Sequence, residues 1–399
     1  MDIYFDNSAT TILDADVQKA MDDFNNKYYA NPSAMHRFGY LVEEEVKKCS
    51  EYIASIINCD SSEIIWTSGG SESNNLAISG YIEAHKKNGN RIITTSIEHP
   101  SVYNVFKKYE DLGFEVIYLD VDSRGQIDIG KLNDIVDNNT ILVSIMFVNN
   151  EIGSRQRIED IGEIIKSKNK NCAFHVDFVQ GFAKYKIDVK KSKIDFLSVS
   201  SHKINGPKGV GFLYKNKNAR IIPMILGGNQ QQGLRAGTLN TTGIIGTYMA
   251  TKIAYENLET VVSGLKNLKD YLIDELSKIN DKYGIITVNT IKDDSFAPHI
   301  VSISFKGIRA EVMLHSLEEY GIYVSAGSAC SSHNKNISNT LKSIGLKPEL
   351  AESTIRVSFG KYNNKQEIDI FINTLDIIIP KLVLKRWLWK MFLKKNWIF

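Results

Sequence analysis

The chain has 399 residues, 43% hydrophobic and 24% charged, with a formal net charge of +2. This composition excludes collagen-like and disordered classes, leaves room for two globular domains, and gives no whole-protein field for direct nucleic-acid binding. Cys49, Cys59, Cys172 and Cys330 are scattered without a CxxC pair; this argues against a disulfide framework or structural metal site and predicts free thiols in a reducing, cytoplasmic setting.

In chain order, the start MDIYFD lacks the basic-then-apolar pattern of a secretory signal. A short apolar run at 64–66 leads into TSGGSESNN at 67–75, a glycine-rich turn that opens a helix. Runs rich in β-branched residues at 92–96, 115–119, 140–148, 173–176 and 194–199 predict strands. Several are so continuously apolar that both faces are buried. Helices are predicted between them at 101–112, 127–137 and 158–168. The alternation predicts an α/β domain with a mostly parallel sheet flanked by helices, with ligands beyond the carboxyl ends of its strands.

The texture changes near 241. Helical stretches at 241–256 and 258–279 precede a strand at 300–305, a helix at 309–320, and strands at 322–324 and 354–359. The expected division is an N-terminal segment at 1–15 associated with the small domain, a large domain at 16–257, and a smaller α+β C-terminal domain at 258–380. The small domain carries a loop at about 325–340, and a basic aromatic tail occupies 381–399. From Pro380 onward the sequence PKLVLKRWLWKMFLKKNWIF has no acidic residue, and its apolar runs are too interrupted to span a bilayer. Three readings stand: a C-terminal helix packed on its own domain, which is favoured, contact with an anionic membrane surface, or docking on an acidic partner.

The chemistry centres on IDFLSVSSHK at 194–203. A buried strand ends there in small polar residues, His202 and Lys203. A lysine at the mouth of an apolar strand is expected to have a lowered pKa, so its amine can form a Schiff base with a carbonyl cofactor. Ser200 and His202 beside it can hold a phosphate or a ring hydroxyl. This is the layout of a lysine carrying pyridoxal 5'-phosphate (PLP).

Other strand ends offer the remaining parts. In HVDFVQ at 175–180, Asp177 can keep a pyridine nitrogen protonated, making the ring an electron sink. Val179 faces the same way and can pack under the ring, and Gln180 can donate to its hydroxyl. An isolated HxD is also a structural pattern or a metal pair. At 67–75, Gly70 and Ser71 open a helix whose free N–H groups form a phosphate cup; the alternative is a variant capping box. His99, in EHPS at 98–101, can stack on the ring and shuttle protons, or be a plain loop residue. Asn150 can reach the ring hydroxyl or the substrate, or serve a turn. Arg356, between apolar neighbours of a strand, needs a carboxylate, either an internal acid or a substrate. Cys330 sits in SAGSACSSHNKN at 325–336, a small, polar setting opposite to that of a core cysteine. It suits a travelling nucleophile.

With FDNSATT at 5–11, NPSAMH at 31–36, VNNEIG at 148–153, SSHKINGPKG at 200–209, GLRAGT at 233–238, GSAC at 327–330 and IRVSF at 355–359 added to these, the chain resembles the cysteine desulfurases. These belong to the class V group of fold-type I PLP enzymes. The resemblance runs over about residues 3–375.

It implies a PLP-dependent sulfurtransferase that converts L-cysteine to L-alanine and carries the sulfur as a persulfide on Cys330. Lys203 is then the Schiff-base lysine. Gly70, Ser71, Ser200 and His202 hold the phosphate, while Asn150, Asp177 and Gln180 contact the ring. His99 stacks and acts as acid–base, and Arg356 binds the cysteine carboxylate. Thr238 reaches the phosphate of a neighbouring subunit, which implies a homodimer. The cysteine loop resembles the branch serving iron–sulfur cluster assembly, nitrogenase maturation or tRNA thiolation, so an iron–sulfur scaffold or thiolation enzyme is the implied sulfur acceptor. The chain departs from the family at Gly70-Ser71, often Ala-Thr, at Phe178, commonly a small residue, and in the tail. Selenocysteine lyase, another class V aminotransferase and a scaffold protein are the rival readings. A serine hydrolase fails for want of a GxSxG elbow.

Overall fold

The structure, a computed structural model, describes the main chain of residues 2–326 and 338–395 and the side chains of these up to residue 384. The chain forms two units. The larger comprises Thr10–Asn149 and Arg155–Thr260; the smaller comprises Met1–Ala9, Asn150–Ser154 and Val261–Phe399. The division thus falls at Ala9 and Thr260 and assigns the short segment Asn150–Ser154 to the smaller unit, which periodicity gives no means of seeing.

The chain opens with β1 (Ile3–Tyr4) in the smaller unit and enters the larger with α1 (Ala15–Lys27) and α2 (Arg37–Ile57). In α2, Val42, Val46, Cys49, Ile53 and Ile57 recur on one face and are buried. His36 caps its start by accepting from the Gly39 N–H, and Asn58 ends it in the left-handed conformation at φ 59°. The central sheet follows: β2 (Ile64–Thr67), β3 (Arg91–Thr95), β4 (Glu115–Leu119), β5 (Thr140–Met146), β6 (Ala173–Asp177), β7 (Phe196–Ser200) and β8 (Gly211–Lys215).

Its spatial order is β2-β8-β7-β6-β5-β3-β4. β8 is antiparallel to both neighbours, and the other pairings are parallel. Every residue of β5, β6 and β7 is buried, the reason these segments read as unbroken apolar runs. α3 (Gly70–His85), α4 (Pro100–Asp111), α5 (Ile129–Ile135), α6 (Ile158–Lys168) and α7 (Thr241–Glu256) complete the unit. One core cluster joins Leu76, Ile78 and Ile82 of α3 and Val102 and Phe106 of α4 to Ile92, Leu142 and Phe196 of the sheet. Full burial of each such side chain contributes about 1.5–3 kcal/mol. β8 went unforeseen because GFLYK follows its turn so closely that it reads as part of the preceding motif.

α8 (Leu258–Tyr283) crosses the boundary at Thr260, and β9 (Ile286–Val288), β10 (Ile300–Phe305), α9 (Ala310–Glu318), β11 (Ile322–Tyr323) and β12 (Ser325–Ala326) follow in the smaller unit. α10 (Asn339–Ser343), α11 (Pro348–Ala351), β13 (Thr354–Ser358) and α12 (Lys365–Lys395) follow. An antiparallel sheet ordered β12-β13-β10-β9 lies in this unit, and β1 pairs in parallel with β11. Phe5 packs edge-on against Phe359 and Phe371 at 5.4 and 6.0 Å between ring centres. α12 buries Ile368, Phe371, Leu375 and Ile379 in the same core and continues past Pro380 into the tail. Among the described residues, no helix is long and apolar enough to cross a membrane.

Candidate active site

The carboxyl ends of β2, β3, β6 and β7 carry the larger unit's candidates. Between β3 and β5 the chain order reverses, the position at which open α/β sheets bind ligands. Glu98 ties the loop after β3 to the end of β5: its Oε1 accepts from the Met146 N–H at 2.9 Å and from the Thr95 hydroxyl at 2.7 Å. In register, Asp177 lies opposite Met146 on one side and Ser198 on the other. Asp177, at the end of β6, is therefore adjacent to the β7 end that leads into Ser200–Lys203.

A cavity of about 330 Å³ opens at the start of α3, lined by Thr10, Ser68–Glu72, Ser200, His202, Lys208 and Gly209. Gly69 caps α3 with φ 147° and no side-chain cap, so the capping-box alternative is not realised and the first-turn N–H groups remain open. A Cβ at Gly70 would meet Val179 Cγ2 at 2.7 Å. Val179 therefore packs against the helix start, and the absent side chain keeps the cradle open. Ser200 Oγ lies 3.4 Å from where a Gly69 Cβ would stand. The Glu72 carboxylate pairs with Arg235 at 2.8 Å, leaving the helix-start N–H groups and the Ser200 and His202 side chains to meet an anion. His202 Nδ1 is 3.1 Å from the Thr10 hydroxyl. Burial, with Lys203 and Lys208 adding, pulls its imidazole down to about 4. Ser71, also in the cavity lining, is exposed.

Lys203 closes the short turn Ser201–Lys203 and is partly exposed. Its carbonyl accepts from Lys184 Nζ at 2.9 Å. Burial, followed by the Lys203 charge, pulls the Lys184 amine down to about 8. Asp177 is buried, with Oδ1 accepting from the Val179 N–H at 3.0 Å and Oδ2 from Asn74 Nδ2 at 2.8 Å. His175 is a structural residue: Ser144 and Ser198 hold its two nitrogens at 2.7 and 3.0 Å, and burial pushes it down to about 3. Phe178 turns into the core against Phe147 and Phe182, so its bulk occupies the interior. Gln180 is buried just beyond. His99 caps α4, its Nδ1 accepting from the Ser101 N–H at 3.1 Å.

In the smaller unit, Arg356 on β13 is buried and has an internal acid: Nη2 reaches Asp6 Oδ1 at 2.6 Å, and Nη1 donates to the Asn150 carbonyl at 2.7 Å. Its Nε is buried without a partner. Thr238 is exposed and does not line the cavity. Cys330 lies outside the described residues. Asn74, Ser101, Lys184, Thr10 and Lys208 escaped sequence reasoning; an asparagine inside a helix, where its propensity is poor, is the one signal that could have exposed Asn74.

The residues of the larger unit fit PLP: an open helix start and two polar side chains for the phosphate, a lysine at the neighbouring strand end, and a carboxylate fixed by two donors for the pyridine nitrogen.

Comparison with known proteins agrees. The model of the family Aminotransferase class-V matches residues 3–371. A cysteine desulfurase IscS of Clostridium botulinum is 40% identical over 395 residues, 99% of this chain and 98% of the relative. A cysteine desulfurase of a Nostoc species is 40% identical over 383 residues, 95% and 93% of the two chains. Among solved structures, a NifS-like protein matches at TM-score 0.89 and 37% identity, covering 96% of this chain and all of that one. SspA in complex with cysteine matches at TM-score 0.78 and 33% identity, with 91% and 100% covered. This chain therefore belongs to the class V aminotransferase family, among its PLP-dependent cysteine desulfurases.

Proposed function

We propose that this cysteine desulfurase converts L-cysteine to L-alanine by passing the substrate sulfur to Cys330 as a persulfide. The observation that carries the reading is that Lys203, Asp177 and the open start of α3 follow the carboxyl ends of β7, β6 and β2 in one sheet. Bound PLP supplies an electron-withdrawing ring that stabilises negative charge at the substrate Cα. Gly70, Ser71, Ser200 and His202 orient its phosphate, Asp177 and Gln180 its ring, and Val179 packs beneath. Lys203 anchors the cofactor and, as a free amine, takes the Cα proton. His99 assists proton transfers, while Arg356 holds the substrate carboxylate and Asn150 contacts the substrate side. The Cys330 thiolate attacks the substrate sulfur. The S–S bond forms, the C–S bond breaks with its electrons moving to carbon, and proton uptake yields alanine.

The exposed apolar run of Ile222, Met224, Ile225 and Leu226, on the same connection as Thr238, supports a homodimer in which Thr238 reaches the partner's phosphate. The free thiols of Cys49, Cys59 and Cys172 support a reducing, cytoplasmic site of action. The persulfide goes on to a sulfur-acceptor protein, an iron–sulfur scaffold or a thiolation enzyme.

Borohydride reduction of the yellow holoenzyme, followed by mass spectrometry, should find the cofactor on Lys203. Cys330→Ala should keep the colour while losing sulfide release and the Cys330 persulfide. Cofactor on another residue, or unchanged sulfur release by Cys330→Ala, overturns the reading.

A further inference from the structure

Asp177 and His99 lie on different strand ends, yet a continuous line of hydrogen bonds joins them. Asn74, 1% exposed on α3, places its Nδ2 at 2.8 Å from Asp177 Oδ2 and at 2.9 Å from Ser101 Oγ. Ser101 Oγ in turn lies 2.8 Å from His99 Nδ1. The directions follow from chemistry. A carboxylate only accepts, so the amide of Asn74 must turn its NH2 toward Asp177. The second hydrogen of that NH2 points at Ser101 Oγ, which is thereby an acceptor on that side. The Ser101 hydroxyl hydrogen is then free to go only to His99 Nδ1. The Ser101 backbone N–H reaches the same nitrogen at 3.1 Å. Two donors converge on Nδ1, so the ring proton belongs on Nε2.

We propose that Asn74 and Ser101 are positioning residues through which the Asp177 carboxylate holds His99 as the neutral Nε2–H tautomer. His99 then works beside the cofactor as a neutral hydrogen-bond donor and not as an imidazolium. A second proton would have to enter at Nδ1, against both donors and at the positive end of α4. The same logic keeps a histidine neutral at the helix N-terminus of triosephosphate isomerase. The charged groups facing the ring are Asp177 and Lys203. Burial lowers the His99 pKa, Lys203 adds to the fall and Asp177 opposes it. Glu98, next in the chain, is kept protonated by burial at neutral pH.

The inference rests on the desulfurase reading for its purpose, but its test needs no turnover. In holoenzyme labelled with 15N-histidine, the His99 signal, assigned by its loss in His99→Asn, should show a bare Nδ1 and a protonated Nε2 from pH 6 to 8. Ser101→Ala removes one donor to the neutral ring and should raise the titration midpoint by roughly half to one pH unit. Asn74→Asp, nearly isosteric, draws the Ser101 hydroxyl toward itself and should raise the midpoint by about one unit or more and populate the Nδ1–H form. Ser101→Thr keeps the hydroxyl and should restore the wild-type midpoint. A wild-type ring protonated on Nδ1, or one common midpoint and tautomer in all these proteins, overturns the proposal. Holoenzyme that makes no alanine, by contrast, overturns only the preceding functional reading.

Discussion

Glu98 permits the most quantitative prediction. Its carboxyl is fully enclosed, Oε1 is bound by Thr95 and Met146, and Oε2 is buried without a partner. Burial, with the Asp177 charge adding, pushes its pKa from 4.5 up to about 8. At pH 7 the folded protein therefore carries a neutral acid here. The sign of the linkage follows. Below pH 4.5 the group is protonated in both states and adds no pH dependence. Between 4.5 and about 8 only the unfolded chain has lost the proton, so stability falls as pH rises. Above about 8 both states are ionised and the loss is complete, at 1.36 kcal/mol per unit a total of about 5 kcal/mol.

Glu98→Gln keeps the acceptor for Thr95 and Met146 and removes the titration. Its NH2 lacks a partner, a pH-independent cost of about 1–3 kcal/mol. Urea denaturation of both proteins from pH 5 to 8.5 should therefore show the variant gaining steadily on the wild type, overtaking it near neutrality. Infrared difference spectra should show a protonated carboxyl band, absent in Glu98→Gln, that persists at pH 7 and fades near pH 8. Parallel stability curves, or a band already lost at pH 6, would refute the reasoning.

Arg356→Lys cannot span both Asp6 and the Asn150 carbonyl. It should cost about 1.5–3 kcal/mol of stability by denaturant titration and raise KM for cysteine at least about tenfold in alanine-formation assays. Gly70→Val puts a Cβ at 2.7 Å from Val179 Cγ2 and 3.6 Å from Ser200 Cβ. Overpacking of about 1–3 kcal/mol should appear as an approximately tenfold or greater loss of PLP affinity, read by cofactor content after dialysis, with circular dichroism unchanged. The Lys184 amine, pulled down to about 8 from 10.5, binds its proton more weakly in the folded state. Stability from this group is thus lowest below pH 8 and recovers as pH rises toward 10.5. Lys184→Met should lack that rise, as measured by denaturation between pH 7 and 10.

Strand runs such as 140–148 and 194–199 were legible because residues buried on both faces leave no polar interruption. Their ends were legible because polar residues return there, which is why Asp177, Ser200, His202 and Lys203 stood out. Helix α7 was read to the residue, its apolar run from Ile244 following directly on Thr241–Gly243. Yet no local pattern could pair Arg356 with Asp6, 350 residues away in the chain, or bring the segment Asn150–Ser154 into the smaller unit. Nor could spacing show that Asn74 on α3 stands between Asp177 and Ser101. Periodicity reports burial, a property of each residue and its near neighbours along the chain. The sequence alone therefore determined the family, the strand ends and the reactive residue types. Hydrogen-bond partners depend on which distant segments the packed core forces together, so only the tertiary structure decided what holds each of those residues in place.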